Sequence, residues 1–348
     1  MRTSPVTGGI VFALILVLAA CKKPIPELPG DAAIDPGEYL LSVPKGFDSI
    51  PFPADNPFSL EKWELGKKMF FDPRFSKDNR VSCASCHKPQ HAFADIRETT
   101  PGAFDANGTR NVPSLANVAY FKSYTREAGV PTLEMQVLVP IQEHNELNSN
   151  ILEIAEKLNE DSSYVKMSLE AFGRKPDAWV ITRSLATFER TLVSGNSKYD
   201  QYLRGAADLS DIEKTGMALF FSSRTQCSSC HSGILFTNGT TENNGIYDQY
   251  TDPGRFRLTL DSADIGKFKV PSLRNVAITA PYMHDGSFPT LKSVIEHYNT
   301  GGKNHFNQSS LVKPLHLNDT EMEAIIAFLG TLTDQSFIQN PAFNETVE

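Results

Sequence analysis

The sequence predicts a mainly α-helical protein built from two related halves, and three observations predict it. Apolar residues recur at helical spacing in several segments, and strict strand-like alternation is absent. Residues 111–140 and 269–298 superpose without a gap at an offset of 158, with 11 identities in 30 positions. Each half also carries one Cys-x-x-Cys-His pentapeptide, Cys83-Ala84-Ser85-Cys86-His87 and Cys227-Ser228-Ser229-Cys230-His231.

Taken in chain order, the first element is a targeting segment. Arg2 supplies a positive start, Ile10–Val17 an apolar stretch, and Ala19 and Ala20 small residues, so residues 1–20 read as a secretory signal. Ile10–Ala20 is too short to span a bilayer. Leu18-Ala19-Ala20-Cys21 resembles a bacterial lipobox, which makes Cys21 the lipidated N-terminus. Lys22 follows, without the Asp that favours inner-membrane retention. The expectation is a periplasmic protein, lipid-anchored, with the outer membrane preferred. Residues 21–54 read as a tether.

Helices follow. Ser59–Phe71 carries Leu60, Trp63, Met69 and Phe70, with Ser59 as N-cap. Ile151–Leu158 and Ala178–Val193 are amphipathic. Ser210 caps the helix leading to the second pentapeptide, and Asp319 or Thr320 starts a last helix ending near Leu332. Pro101–Thr109 and Gly239–Gly254 read as loops.

Composition excludes several classes. Apolar residues make up 40% and charged residues 21%, which is enough for a core and excludes global disorder. The net charge of −8, without any Lys/Arg cluster, argues against nucleic-acid binding.

Of the five cysteines, only Cys21 lies outside the two pentapeptides. Two thiols can add to the two vinyl groups of one porphyrin while the adjacent histidine comes to lie under the iron. A zinc site or a dithiol redox motif leaves both histidines unexplained. The reading is therefore two cytochrome c-like domains, each with one covalently bound c-type haem. The first haem domain spans 55–208 and the second 209–348, with His87 and His231 as ligands to the first and second irons.

The sixth position on each iron decides function. Second-copy Met283, His284, His297 and Tyr298 correspond to first-copy Thr125, Arg126, Val139 and Pro140. Every candidate ligand of the second copy is thus a non-ligand in the first, so the first iron is the open one. His91 is too near His87 to cross to the other face and reads as a loop residue. An open ferric haem needs an acid–base group to move a proton between the oxygens of peroxide. Glu134, Glu143 and Glu146 are the candidates.

These motifs together resemble the bacterial dihaem cytochrome c peroxidase and MauG family, over roughly residues 55–335. The marks are both pentapeptides, Arg110-Asn111-Val112-Pro113-Ser114, the Gln136…Pro140…Glu146 run, and Pro281-Tyr282-Met283-His284-Asp285-Gly286. The resemblance implies that the first haem is peroxidatic, that Gln136 and Glu146 are its distal glutamine and catalytic acid–base, and that Pro140 lies between them. It implies Ca²⁺ between the domains at Asn111, Thr279 and Pro281, a set of amide and carbonyl oxygens suited to a hard cation.

Three departures qualify the resemblance. Where many members place an axial Met on the second iron, this chain has Tyr298, as the MauG branch does. Where a Trp lies between the haems, it has Arg126, with Tyr124 two residues away. The window Ala92–Thr109 holds no histidine, so the open iron needs no reductive activation.

The expected function is a cytochrome c peroxidase. It reduces hydrogen peroxide to water with electrons from a small exported cytochrome c or copper protein. The alternative is a MauG-like oxidase that modifies residues of a partner protein through high-valent iron. Tyr298 favours the alternative, and Thr225, in place of that branch's surface Trp, opposes it. A non-catalytic electron-transfer module is the third reading. The electron donor and the oligomeric state stay open.

Overall fold

Two helix crossings, one in each half, organise the chain. The computed structural model describes residues 35–345 together with Met1. The signal segment, Cys21 and the start of the tether therefore lie outside the described residues. In the first half, the helix Leu60–Phe71 packs against Ala178–Arg190; in the second, Asp211–Phe220 packs against Asp319–Gly330. Each crossing is closed by a glycine. A Cβ on Gly66 would lie 1.9 Å from the Ser184 carbonyl oxygen, and one on Gly216 would lie 1.8 Å from that of Ala324. Only hydrogen fits there, so the backbones touch.

Local chemistry sets the helix ends. Ser59 accepts from the Lys62 N–H at 3.3 Å. Ser210 forms a capping box with Glu213. The final long helix starts at Asp319, one of the two starts expected, with Asn318 as its cap in a reciprocal pair with Glu321. The helix expected over 178–193 stops at Arg190. The Thr191 hydroxyl turns back to the Phe188 carbonyl at 2.8 Å, and the Leu192 carbonyl instead accepts the Asn117 N–H at 2.8 Å. A further helix, Ser162–Phe172, is capped by Asp161 and ends at left-handed Gly173. Its exposed polar face masks the pattern in the sequence. Among the described residues, strands amount to one antiparallel pair, Thr241–Glu242 with Phe268–Lys269.

The duplicated stretch repeats in three dimensions. Asn117 and Asn275 are both left-handed and donate their N–H groups to the Leu192 and Leu332 carbonyls at 2.8 and 3.0 Å. The Tyr124 and Tyr282 hydroxyls donate to the Val118 and Val276 carbonyls at 3.2 and 2.9 Å.

The two hydrophobic cores do not divide where the chain does. Tyr199 belongs to the second core, while Phe337, Ala342 and Phe343 return to the first. Phe93, fully buried, meets Phe337 and Phe343 at ring distances of 5.9 and 6.5 Å. Burying each such ring contributes about 1.5–3 kcal/mol, enough to hold the C-terminal segment across the boundary. Asp334 stitches the exchange by accepting the Gly195 and Asn196 N–H groups, each at 2.9 Å. Residues 35–345 accordingly form one compact unit.

Candidate active site

Each pentapeptide folds as a single helical turn, Cys83–Cys86 and Cys227–Cys230, that ends on its histidine. Both cysteines of a pair therefore face one side while the histidine begins the exit loop. His87 Nδ1 lies 2.7 Å from the Phe93 carbonyl oxygen. His231 Nδ1 lies 3.1 and 3.2 Å from the Phe236 and Pro271 carbonyls. A proton on Nδ1 donated to a carbonyl leaves Nε2 as the lone-pair nitrogen, the arrangement an iron ligand requires.

The cysteines are free, and burial raises the pKa of all four thiols. Redox-active dithiols are lowered instead, so the raised thiols argue against a thioredoxin-like role. No group of three or more His, Cys, Asp or Glu that could hold a metal ion occurs among the described residues.

Four side chains combine open surface with strong desolvation. His87, His231 and Tyr298 are half-buried and Glu146 is exposed, yet loss of hydration is the leading cause of the pKa shift at each. With paired thiols and an oriented histidine in each half, the residues fit one covalently attached haem in each.

The three first-half carboxylates separate sharply. Glu134 is buried and makes a two-pronged pair with Arg190 at 2.7 and 2.9 Å, with Asn56 adding a bond at 3.2 Å. Burial opposes its charge, but Arg190 wins and holds the pKa below the usual value. Glu143 is an exposed helix C-cap. Glu146 keeps solvent contact, yet desolvation, reinforced by the Glu143 charge, pushes its pKa up to about 7. Its charge acts on both Cys83 and Cys86, which places it at the first haem motif.

The backbone of Glu146 is clamped. Its N–H donates to the Glu143 carbonyl at 3.0 Å, its carbonyl accepts the Ala103 N–H at 2.7 Å, and the Leu147 N–H donates to Pro140 at 3.1 Å. Gly102 closes over it, since a Cβ there would come within 2.4 Å of the Glu146 carbonyl oxygen. Gln136 ends the short helix Leu133–Gln136 and is half-buried, one turn before Pro140.

In the second half, the competing ligands are sorted by their partners. His297 is buried with Nε2 2.9 Å from the Asn244 carbonyl oxygen. Met283 Sδ accepts from the Asn244 amide at 3.3 Å. His284 is stacked on Phe268 at 4.0 Å, and burial lowers its pKa to about 4. Tyr298 remains. Burial raises its pKa to about 12, the Asn244 side chain opposes that rise, and the Cys230 and Cys227 thiols act on it, so it faces the second haem motif.

Between the halves, the Asn111 N–H donates to the His284 carbonyl at 2.9 Å, bringing Asn111 against the segment that contains Thr279 and Pro281. Arg126 donates to the Asn111 carbonyl at 2.7 Å and to its Oδ1 at 3.1 Å. The oxygen donors suit a hard cation, but Asn111 Oδ1 already serves the Arg126 guanidinium.

Two site residues escaped the sequence reading. Glu189 is buried with Oε2 unpartnered, burial raises its pKa to about 8, and its charge acts on Cys83. A glutamate within an apolar helix face was the available signal. Asn244 lies in a segment whose proximity to Tyr298 nothing local announces.

The comparisons with known proteins agree with this geometry. Residues 60–208 match the family described as di-haem cytochrome c peroxidase, and residues 214–333 match cytochrome c. The methylamine utilization protein MauG of Methylorubrum extorquens is 34% identical over 82% of this chain and 82% of its own. Cytochrome c551 peroxidase of Nitrosomonas europaea is 33% identical over 81% and 83%. The crystal structure of a MauG-like protein associated with microbial copper homeostasis superposes with a TM-score of 0.83 at 33% identity, covering 87% of this chain and 97% of that one. The relatives carry both names, peroxidase and MauG. Two haem cradles on paired helix crossings, and relatives at this identity across most of both chains, make this protein a member of the dihaem cytochrome c peroxidase and MauG family.

Proposed function

We propose that the chain reduces hydrogen peroxide to water at the first haem, with electrons from a small exported cytochrome c or copper protein entering through the second. One observation supports this reading: of the three carboxylates, Glu146 acts on both Cys83 and Cys86 and has its pKa raised by desolvation, to about 7. When bound, the first haem would supply a redox-active iron. Glu146 in its charged form would accept a proton from peroxide and return it to the oxygen that departs as water. The clamp on its backbone holds the carboxylate in place, and Gln136 and Pro140 wall the pocket and limit water. Two electrons and two protons convert one peroxide into two waters. The test is consumption of peroxide coupled to oxidation of reduced cytochrome c by the dihaem protein.

A second reading is favoured by Tyr298 and by the MauG relatives: oxidation of residues on a partner protein. Covalently altered residues on a co-purified partner, with no turnover of cytochrome c, would select it.

Two further proposals concern the setting. Ca²⁺ binds at Asn111, Thr279 and Pro281, drawing Asn111 Oδ1 from Arg126. Chelation then lowers the melting temperature, and an unchanged value would leave Arg126 as the cation at that crossing. Cys21 carries a lipid that anchors the chain in the periplasm; Cys21→Ser should release it from membranes, and unchanged fractionation counts against the anchor.

A further inference from the structure

The two helix crossings match residue for residue. The Thr191 and Thr331 hydroxyls donate to the Phe188 and Phe328 carbonyls at 2.8 and 2.6 Å, Gly66 and Gly216 meet the Ser184 and Ala324 carbonyls, and the Leu192 and Leu332 carbonyls receive the N–H groups of Asn117 and Asn275. Each of these pairs on the second helix of the crossing and its exit is 140 positions apart. On that register Glu189 of the first half corresponds to Leu329 of the second, which is buried in the second core. An apolar side chain therefore completes the crossing, and the first half alone has a carboxyl at this place.

Glu189 is 6% exposed, and its Oε2 is buried without a hydrogen-bond partner. Its charge acts on Cys83 and on Tyr124, so it lies beside the first haem motif. Two charges act on it in return: Arg190, which favours the carboxylate, and Glu134, which opposes it. Arg190 is already held by Glu134 through bonds of 2.7 and 2.9 Å. Desolvation outweighs both and raises the pKa to about 8.

Other titratable groups on the elements packed around it are engaged elsewhere. Lys67, buried on Leu60–Phe71, lies over the Trp63 ring at 5.5 Å. Glu153 and Lys157 on Ile151–Asn159 bond to Lys77 at 2.6 Å and to Asn79 at 2.7 Å. The Tyr120 and Tyr124 hydroxyls donate to the Asp48 and Val118 carbonyls at 2.9 and 3.2 Å. Glu146 also acts on Cys83, but it keeps solvent contact.

A haem iron changes its charge by one unit with each electron. Oxidised iron favours a carboxylate nearby, and reduced iron favours the neutral acid. The linkage is reciprocal, so a carboxyl that follows the iron also makes the iron's potential follow pH.

We propose that Glu189 couples proton transfer to electron transfer at the first haem. When a one-electron reductant adds an electron to that haem, Glu189 takes one proton from solvent onto a carboxylate oxygen; when the electron leaves, the proton returns to solvent. One negative and one positive charge arrive together, so the buried site keeps its net charge. The coupling rests on haem attachment in the first half and is independent of the peroxide reading.

The test is spectroelectrochemical titration of both haems in the dihaem protein, from about pH 6 to about pH 9 around the Glu189 value. In the parent, the reduction constant of one haem should fall tenfold per pH unit, which is about 59 mV for one electron. Glu189→Gln should flatten that haem's slope and raise its potential at the alkaline end, where the parent holds a carboxylate, and leave the other haem unchanged. Glu189→Leu, the residue of the second half, should do the same, and Glu189→Asp should restore part of the slope. An unchanged resting haem spectrum checks folding. A slope that persists in Glu189→Gln, or that is lost in Glu146→Gln instead, overturns the proposal. So does a change at both haems, or failure of both the Gln and Leu variants to hold two haems, since either makes Glu189 a structural residue. Peroxide turnover enters none of these readings, so failure of the peroxide reading is seen separately.

Discussion

His297 Nε2 lies 2.9 Å from the Asn244 carbonyl oxygen, a contact that occupies that ring nitrogen. Its neighbour Tyr298 then faces the motif, because successive helical residues point about 100° apart.

Replacing Tyr298 with Met tests this directly. A phenolate stabilises oxidised iron more than a thioether does, so the variant should raise the second haem's reduction potential and show a Met–iron absorption band. Spectrum and potential both matching the parent would reduce Tyr298 to a wall of the cavity.

Glu146→Gln should keep both haems and lower peroxidase turnover on the order of 10²-fold or more, since the amide cannot take the proton. The wild-type rate should rise with pH through about 7, because the working form is the carboxylate and burial has raised its pKa to that value. The variant should lose this limb. Near-normal turnover would move the role to another group, with Glu143 the next candidate.

Glu134→Gln should destabilise the first half by about 3–5 kcal/mol, because it leaves Arg190 buried without its charge partner. Calorimetry at neutral pH would read this as a lower melting temperature. The Glu134 pKa is depressed in the fold, so its contribution is present above the unfolded carboxylate value and is lost as pH falls through the folded one. The gap between variant and parent should therefore narrow in acid.

Gly216→Ala should cost about 1–3 kcal/mol, since the new methyl meets the Ala324 carbonyl and forces the two helices apart. Gly173→Ala is no neutral control despite the open space there, because its left-handed φ of 67° strains any side chain. Thermal melts of Gly216→Ala against the parent check the crossing, and an equal melting temperature would show that the second half tolerates separation.

The sequence by itself determined the class of chemistry and the duplicate plan. Cysteine spacing, the adjacent histidines and the repeated Val-Pro-Ser-Leu stretch are covalent facts, legible without a fold. Helices with a strong apolar stripe and a capping serine, such as Leu60–Phe71, were legible for the same local reason. Tertiary structure decided which group does what. Glu134, Glu143 and Glu146 are identical side chains, and only burial and the placement of Arg190 separate an ion pair, an exposed cap and a carboxyl near neutrality. The C-terminal segment's return to the first core, and the seating of Asn244 beside Tyr298, depend on contacts between residues far apart in the chain. Such contacts leave no local pattern, because burial and electrostatic environment are properties of the packed whole and not of a residue's neighbours in sequence.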